Sequence, residues 1–257
     1  MHRKIIILFG AALLLRVAFV RSLGPVTYFD DEAEYLRMAE NIRQGNGVIV
    51  SEGLKGYRPP LYAFFLAGLM SCGCSVASIR LVQSVLSAAV TVLIYLCRRA
   101  VFNERTGWWA GLISCVYPFF IFYTGFLLTE ILFLFLSTAA VTALVRPDTS
   151  SSLLPAAAGG VLLGLSGLTR PAAYLCVPCA AGVLLSGEGG YIRRLHRVAV
   201  MVLLFCLTIS PWVIRNAIVF GKFIPGTTMG GWVFWEGNNP RSEGGPCRYF
   251  PEGILEV

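Results

Sequence analysis

Seven apolar runs, each about as long as a bilayer is thick, decide what this chain can fold into. They are IIILFGAALLLRVAFV (5–20), LVQSVLSAAVTVLIYLC (81–97), WWAGLISCVYPFFIFY (108–123), LLTEILFLFLSTAAVTALV (127–145), LLPAAAGGVLLGLSGL (153–168), AAYLCVPCAAGVLLS (172–186) and VAVMVLLFCLTISPWVI (198–214). A spanning helix takes roughly 17–25 residues. Hydrocarbon offers no partner for backbone N–H and C=O groups, and no run alternates as a strand would, so helices are the solution. With 56% hydrophobic and 14% charged residues among 257, a soluble domain is excluded. The expectation is an all-α polytopic membrane protein with about seven transmembrane helices, and juxtamembrane helices in the first external loop.

Arg16 interrupts the first run, and no small-x-small site follows before Arg21, so this run reads as a retained anchor rather than a cleaved signal peptide. The basic residues of the short loops set the orientation: Arg3 and Lys4, then Arg98, Arg99 and Arg105, then Arg146, then Arg193, Arg194 and Arg197. They alternate as the positive-inside rule requires, with the N-terminus cytoplasmic and the C-terminus outside. The same loops account for the net charge of +7, so nucleic acid is not the expected partner. The segment PPLYAFFLAGLM (59–70) is apolar, but twelve residues reach only about 18 Å; it is expected as an interfacial or re-entrant helix. The first external segment then covers about 24–78. An external tail covers 216–257, in which GGWVFWEGNNPRSEGGP reads as irregular.

Eight cysteines say little. Most sit in apolar runs as small hydrophobes. Cys176 and Cys179 have redox spacing without a supporting second pair or histidine. Cys72, Cys74 and Cys247 lie outside the spans, where an oxidising compartment allows a disulfide.

Against this apolar background, YFDDEAEYLRMAENIRQGNG (28–47) places Asp30, Asp31, Glu32 and Glu34 within five positions. The stretch reads as a short amphipathic helix with Tyr35, Met38, Ala39 and Ile42 on one face, ending at Gly45. Asp30 or Asp31 is expected to cap it, with Glu34 closing a capping box three residues past Asp31. Capping uses one carboxylate, and consecutive acids repel unless a cation shares their site. Cations stand on the same side: Arg58 in YRPPLY, Arg80 in SIRLVQ, Arg170 in LTRPAAY and Arg215 in PWVIRN. Several guanidinium groups converging on one face suit a bound phosphate. Glu130 is the one acid inside an apolar run, near the outer end of the fourth helix, and Arg170 is the expected partner to offset its burial.

A one-sided site follows, with carboxylates and arginines at the outer ends of membrane helices. A carboxylate can act as general base for an incoming hydroxyl. Arginines can stabilise charge growing on a phosphate leaving group. These parts fit glycosyl transfer from a lipid-phosphate sugar.

The stretches DDEAEYLRMAENI with QGNG, YRPPLYAFFLA, RLVQSVLSAAVTVLIY, LLTEILFLFL, GLSGLTRPAAY and PWVIRNAIVFGKFIP with EGNNP resemble, in that order, the GT-C glycosyltransferase superfamily. The similarity is to family 39/83-like enzymes, kin of the protein O-mannosyltransferases and of lipid A aminoarabinose transferase. It implies a polyprenyl-phosphate-sugar donor and an inverting transfer on the extracytoplasmic face of the plasma (inner) membrane. It maps the family's essential acid onto Asp31 and Glu32, with Asp30 as understudy, and its basic residues onto Arg58 and Arg170. Family members are usually longer, so the chain resembles an N-terminal module: 1–215 transmembrane, 216–257 the start of a further part.

The resulting assignment has Asp31 as base and Glu32 as its helper or as a metal ligand. Arg58, Arg170, Arg215, Arg80, Tyr57 and Glu130 line the donor side. No cofactor is certain, and a divalent metal at the acidic loop is left open. A non-catalytic module that binds lipid phosphate, and a transporter, are the rival readings. The acceptor group is a hydroxyl or a phosphate, and the molecule that carries it is unspecified.

Overall fold

The computed structural model describes residues 2–51, 55–145, 152–187, 189–240 and 242. Arg146 and Cys247, singled out above, lie outside them, as does the tail beyond residue 242. No β-strand occurs among the described residues. The helices are α1 (His2–Arg21), α2 (Asp30–Arg43), α3 (Pro60–Ser71), α4 (Val76–Val101), α5 (Glu104–Val116), α6 (Pro118–Phe122), α7 (Glu130–Leu144), α8 (Leu154–Thr169), α9 (Cys176–Ser186), α10 (Tyr191–Phe220) and α11 (Gly230–Asn238). Short 3₁₀ turns at Tyr123–Gly125 and Pro171–Leu175 follow α6 and precede α9.

Each of the seven apolar runs forms helix, though not uniformly. Among the described residues α4 and α10, with 26 and 30 residues, are long and apolar enough to cross a bilayer by themselves. The others are α1 with 20 residues, α8 with 16, α7 with 15 and α9 with 11. The third run is split: Pro118 has no N–H to continue the ladder, Tyr117 turns out to an extended ψ of 118°, and α5 gives way to α6.

That break explains Arg16. It is wholly buried on α1, and Nη1 and Nη2 donate to the carbonyls of Cys115 (3.1 Å) and Ser114 (3.2 Å), which the end of α5 leaves without helical partners. Nε donates to Ser87 Oγ at 2.7 Å and Nη2 to Thr91 Oγ1 at 3.3 Å on α4. A cation at a helix C-terminus also answers the dipole. The first run therefore packs into the bundle, against α4 and α5.

At the far end of the bundle Glu104 gathers Lys4 (2.9 Å), Arg99 (2.6 Å) and the Tyr95 hydroxyl (2.9 Å). The ends of α1, α4 and α5 are thereby joined on the side opposite Asp31.

Small residues let α8 approach its neighbours. A Cβ added at Gly160 would collide with the backbone carbonyl of Met201 on α10, and one at Gly164 would stand 2.6 Å from Thr208 Cβ. This is the small-residue packing of membrane helices. Gly160→Ala must push α8 and α10 apart, because a carbonyl cannot swing aside as a side-chain tip can. Overpacking of this kind costs about 1–3 kcal/mol. The expected outcome is a lower unfolding temperature in detergent, whereas Gly182→Ala, where nothing stands within 4 Å of the added carbon, leaves it unchanged.

The segment 59–70 forms α3, a twelve-residue helix that buries Tyr62, Ala63, Leu66 and Ala67 against α2 and neighbouring helices. Tyr35, Met38 and Ala39 of α2 are buried as their spacing required. The tail corrects the sequence reading in part. Helix α10 runs five residues past Arg215, and 230–238 is helical rather than irregular, with Trp232 and Trp235 one turn apart and their rings 5.3 Å apart. Cys72, Cys74, Cys176 and Cys179 are free thiols.

Candidate functional site

The acidic helix begins one residue earlier than its acids suggest. Phe29 is the N-cap of α2, so Asp30, Asp31 and Glu32 fill the first turn, where the dipole favours them. Glu32, not Glu34, reaches back as the capping acid: its Oε1 accepts from the N–H groups of Tyr28 (2.7 Å) and Phe29 (3.1 Å). Its Oε2 accepts from Leu127 N at 2.8 Å, in the turn before α7. Glu32 is fully buried, with Arg80 Nη2 3.9 Å away. Arg80 Nη1 and Nη2 donate to the carbonyls of Gly24 and Val26, each at 2.6 Å, the guanidinium lies over the Tyr28 ring, and Nε is buried without a hydrogen-bond partner. This pair faces inward and ties the 22–29 linker to α4 and to the turn before α7.

Helical periodicity sends the neighbouring acids elsewhere. Asp31 and Glu34 are three apart, hence on one face, and both meet Arg58. Arg58 Nη2 is 2.6 Å from Asp31 Oδ1 and 2.6 Å from Glu34 Oε2; Nη1 reaches Asp31 Oδ2 at 3.3 Å and Nε reaches Glu34 at 2.9 Å. The guanidinium is sandwiched between the rings of Tyr35 (5.4 Å) and Tyr57 (5.3 Å). Asp31 is 52% exposed while Arg58 is 17% exposed, so the carboxylate faces out and the cation holds it from behind. Burial pulls the Arg58 guanidinium down, and the tyrosine and carboxylates beside it more than compensate, leaving it above its ordinary value. Arg58 is a cation at every workable pH. Asp30 is exposed beside Asp31.

The second pair lies across the helix ends. Arg170, the C-cap of α8, places Nη1 2.6 Å from Glu130 Oε1 at the start of α7. Tyr35 connects the pairs: burial pushes its phenol up to about 12, and Arg58, Asp31, Arg170 and Glu130 all act on it. The start of α7 is also tied to α2 directly: Glu32, next to Asp31, holds Leu127 N three residues before Glu130, and Tyr35 packs in one cluster with Leu127 and Leu132.

A strap after α10 holds the loops that carry the arginines. Asn216 Nδ2 donates to Ile224 O (3.0 Å), Tyr174 OH to Pro225 O (2.6 Å) and Trp212 Nε1 to Gly226 O (2.7 Å), while Thr228 N donates to Gly56 O (3.1 Å). Tyr174 follows Arg170 by four residues and Gly56 precedes Arg58 by two, so one strap sets both. Gly56 needs its positive φ of 89° in that turn, which packs against Phe220. Arg215 lies behind it, stacked on Trp212 (4.9 Å) and donating to Asn216 Oδ1 (3.0 Å) and Val48 O (3.4 Å).

Thus Arg58 gathers Asp31 and Tyr57, and Arg170 pairs with Glu130, at the candidate site, while Glu32, Arg80 and Arg215 point into packed or loop-holding contacts. The sequence reading missed Glu34, which it took for a capping charge; Tyr35 is core as expected and in addition lies against Arg58. The three-residue spacing from Asp31 to Glu34 was the available signal. The donors also fail the test for a divalent metal. Such a cation wants converging free oxygens, yet Glu32's accept three backbone N–H groups and Asp31's accept Arg58. Among the described residues no three His, Cys, Asp or Glu side chains are grouped as ligands.

The dolichyl-phosphate-mannose-protein mannosyltransferase family matches residues 57–214, more than half of the chain. The chain belongs to that family, and with it to the GT-C glycosyltransferases. No curated protein and no solved structure matches it. The matched span contains Arg58, Glu130 and Arg170, and begins after Asp31.

Proposed function

We propose that the chain is a membrane glycosyltransferase that moves a sugar from a polyprenyl-phosphate donor to an acceptor hydroxyl, with inversion, on the extracytoplasmic face of the cell (inner) membrane. The observation that carries the reading is Asp31: a half-exposed carboxylate, oriented by a two-point contact with Arg58, in one neighbourhood with the Glu130–Arg170 pair. The family supplies the class of chemistry. Orientation is supported by the basic residues at the opposite ends of the helices: Lys4, Arg98, Arg99, Arg105, Arg193, Arg194 and Arg197. Residues 1–215 form the transmembrane module, with seven crossings, and residues 224–228 after α10 fold back over its outer face.

In the reaction the acceptor oxygen attacks the anomeric carbon from the face opposite the phosphate. Asp31 takes the hydroxyl proton as the new C–O bond forms. The bond from the anomeric carbon to the phosphate oxygen breaks, and the lipid phosphate leaves with the electron pair. Arg170, 42% exposed, stabilises the charge on that phosphate. Arg58 serves chiefly to hold Asp31, since its donors are engaged by the two carboxylates, and Tyr57 covers it. Glu32, Arg80 and Arg215 keep the loops in place, and Asp30 is a bystander.

The test is reconstitution in vesicles with a short prenyl-phosphate hexose, following binding and the release of prenyl phosphate. Binding with acceptor-dependent release supports the reading. Binding without release makes the chain a lipid-phosphate-binding module, and absence of binding overturns the reading and favours a transporter.

A further inference from the structure

Between α6 and the first turns of α7 lies a cavity of about 210 Å³ with aromatic walls and one polar edge. Phe119 and Tyr123 form one wall, stacked with ring centroids 6.3 Å apart and planes 25° apart. Phe133 and Leu134 form the other, and Glu130 and Arg170 stand at the edge. Glu130 is divided between two environments. Its Oε1 takes the Arg170 N–H at 2.6 Å, while Oε2 is shielded from solvent and has no hydrogen-bond partner. Buried acceptors are almost always satisfied, so this oxygen needs a donor, and a turn of the Glu130 carboxylate toward the cavity it lines would let a ligand supply one.

Three chemistries compete for such a cavity. An isoprenoid chain suits the rings but brings no donor to Oε2. A phosphate brings none either, and like charge keeps it out of the cavity, on the exposed side of Arg170 away from the carboxylate. A sugar ring brings both parts, a C–H face to lie on the aromatic wall and hydroxyls at its edge. The cavity is smaller than the roughly 300–1,000 Å³ of sites for drug-sized ligands, which leaves room for a single ring.

We propose that this cavity is the sugar subsite of the enzyme, and that Glu130 Oε2 accepts a hydrogen bond from a ring hydroxyl and so helps decide which hexose is taken. The inference rests on the glycosyl-transfer reading and adds to it a site and a specificity residue. Tyr35 of α2 packs in one cluster with Leu127 and Leu132, which flank Glu130 in the chain, and Glu32 holds Leu127 N, so the cavity's polar edge lies against the acidic helix rather than at a remote surface.

The probes are a short prenyl phosphate and the same lipid carrying each of several epimeric hexoses, bound to the full chain in nanodiscs. Leu134→Trp fills the cavity from a partly exposed position, and Glu130→Gln keeps the shape while turning one acceptor into a donor. Both variants are first checked for an unchanged unfolding temperature. The wild type is expected to bind one hexosyl lipid more tightly than the bare lipid, and Leu134→Trp to abolish that preference while binding the bare lipid as before. A hydrogen bond to a charged acceptor corresponds to roughly a 10- to 100-fold preference. Glu130→Gln is expected to change the ranking among the epimers. Equal weakening of both lipids by Leu134→Trp assigns the cavity to the isoprenoid and overturns the proposal. So does an unaltered hexose preference in both variants. Failure of the wild type to bind either lipid overturns the transfer reading itself, and the subsite with it.

Discussion

Asp31→Asn is expected to lower the turnover of glycosyl transfer by about 10²- to 10⁴-fold, the usual worth of a positioned general base. Donor binding and the unfolding temperature should change little. Asn keeps the size and one acceptor oxygen, so Arg58 retains a partner there and keeps Glu34 as well. What disappears is the group that takes the proton. Arg58→Gln provides the companion result. It leaves Asp31 ionised but no longer held, and removes the cation from between Tyr35 and Tyr57. Turnover should fall there too, together with stability, since Glu34 is 21% exposed and loses its partner. Initial rates in vesicles at saturating donor, set beside thermal unfolding in detergent, separate the two variants. An Asp31→Asn enzyme within tenfold of wild type would make Asp31 a tether for Arg58 and would move the base elsewhere.

The bundle and the sidedness of the charges were legible because they are consequences of local composition. Length and hydropathy name a helix. The Glu130–Arg170 pair was legible for a related reason: a lone acid in an apolar run needs a cation, and a lone cation in a short external turn stands nearby. The division of labour within Asp31, Glu32 and Glu34 was hidden. It depends on which residue is the N-cap, and a shift of one position rotates the acids by about 100° around the helix. With Phe29 as N-cap, Glu32 turns into the protein and Asp31 and Glu34 turn toward Arg58. Nor does sequence separation say that the Leu127 N–H lies opposite residue 32, or that Arg80 would be spent on two carbonyls of the preceding linker. The aromatic cavity was hidden too, because rings in an apolar run read as lipid-facing bulk until Pro118 breaks the helix and gathers them.

Glu32→Gln therefore has an expected effect of another kind, on the fold. The carboxylate accepts on both oxygens, from Tyr28 and Phe29 on one side and from Leu127 on the other. An amide can accept on one side only. In either orientation its NH₂ group faces a backbone N–H, and that donor loses its partner. Arg80, 1% exposed, loses its nearby counter-charge at the same time. Breaking a buried pair from one side costs about 3–5 kcal/mol, enough to release the 22–29 linker and with it the start of α2. The unfolding temperature in detergent should drop sharply, and whatever activity is lost should follow the loss of folded protein. A double variant, Glu32→Gln with Arg80→Leu, should cost less than the sum of its parts, because the second change removes the cation the first one stranded. The opposite pattern, an unchanged unfolding temperature with transfer abolished, would place Glu32 in the chemistry beside Asp31. Thermal unfolding thus distinguishes the two adjacent acids: loss of activity without loss of stability at position 31, and loss of both together at position 32.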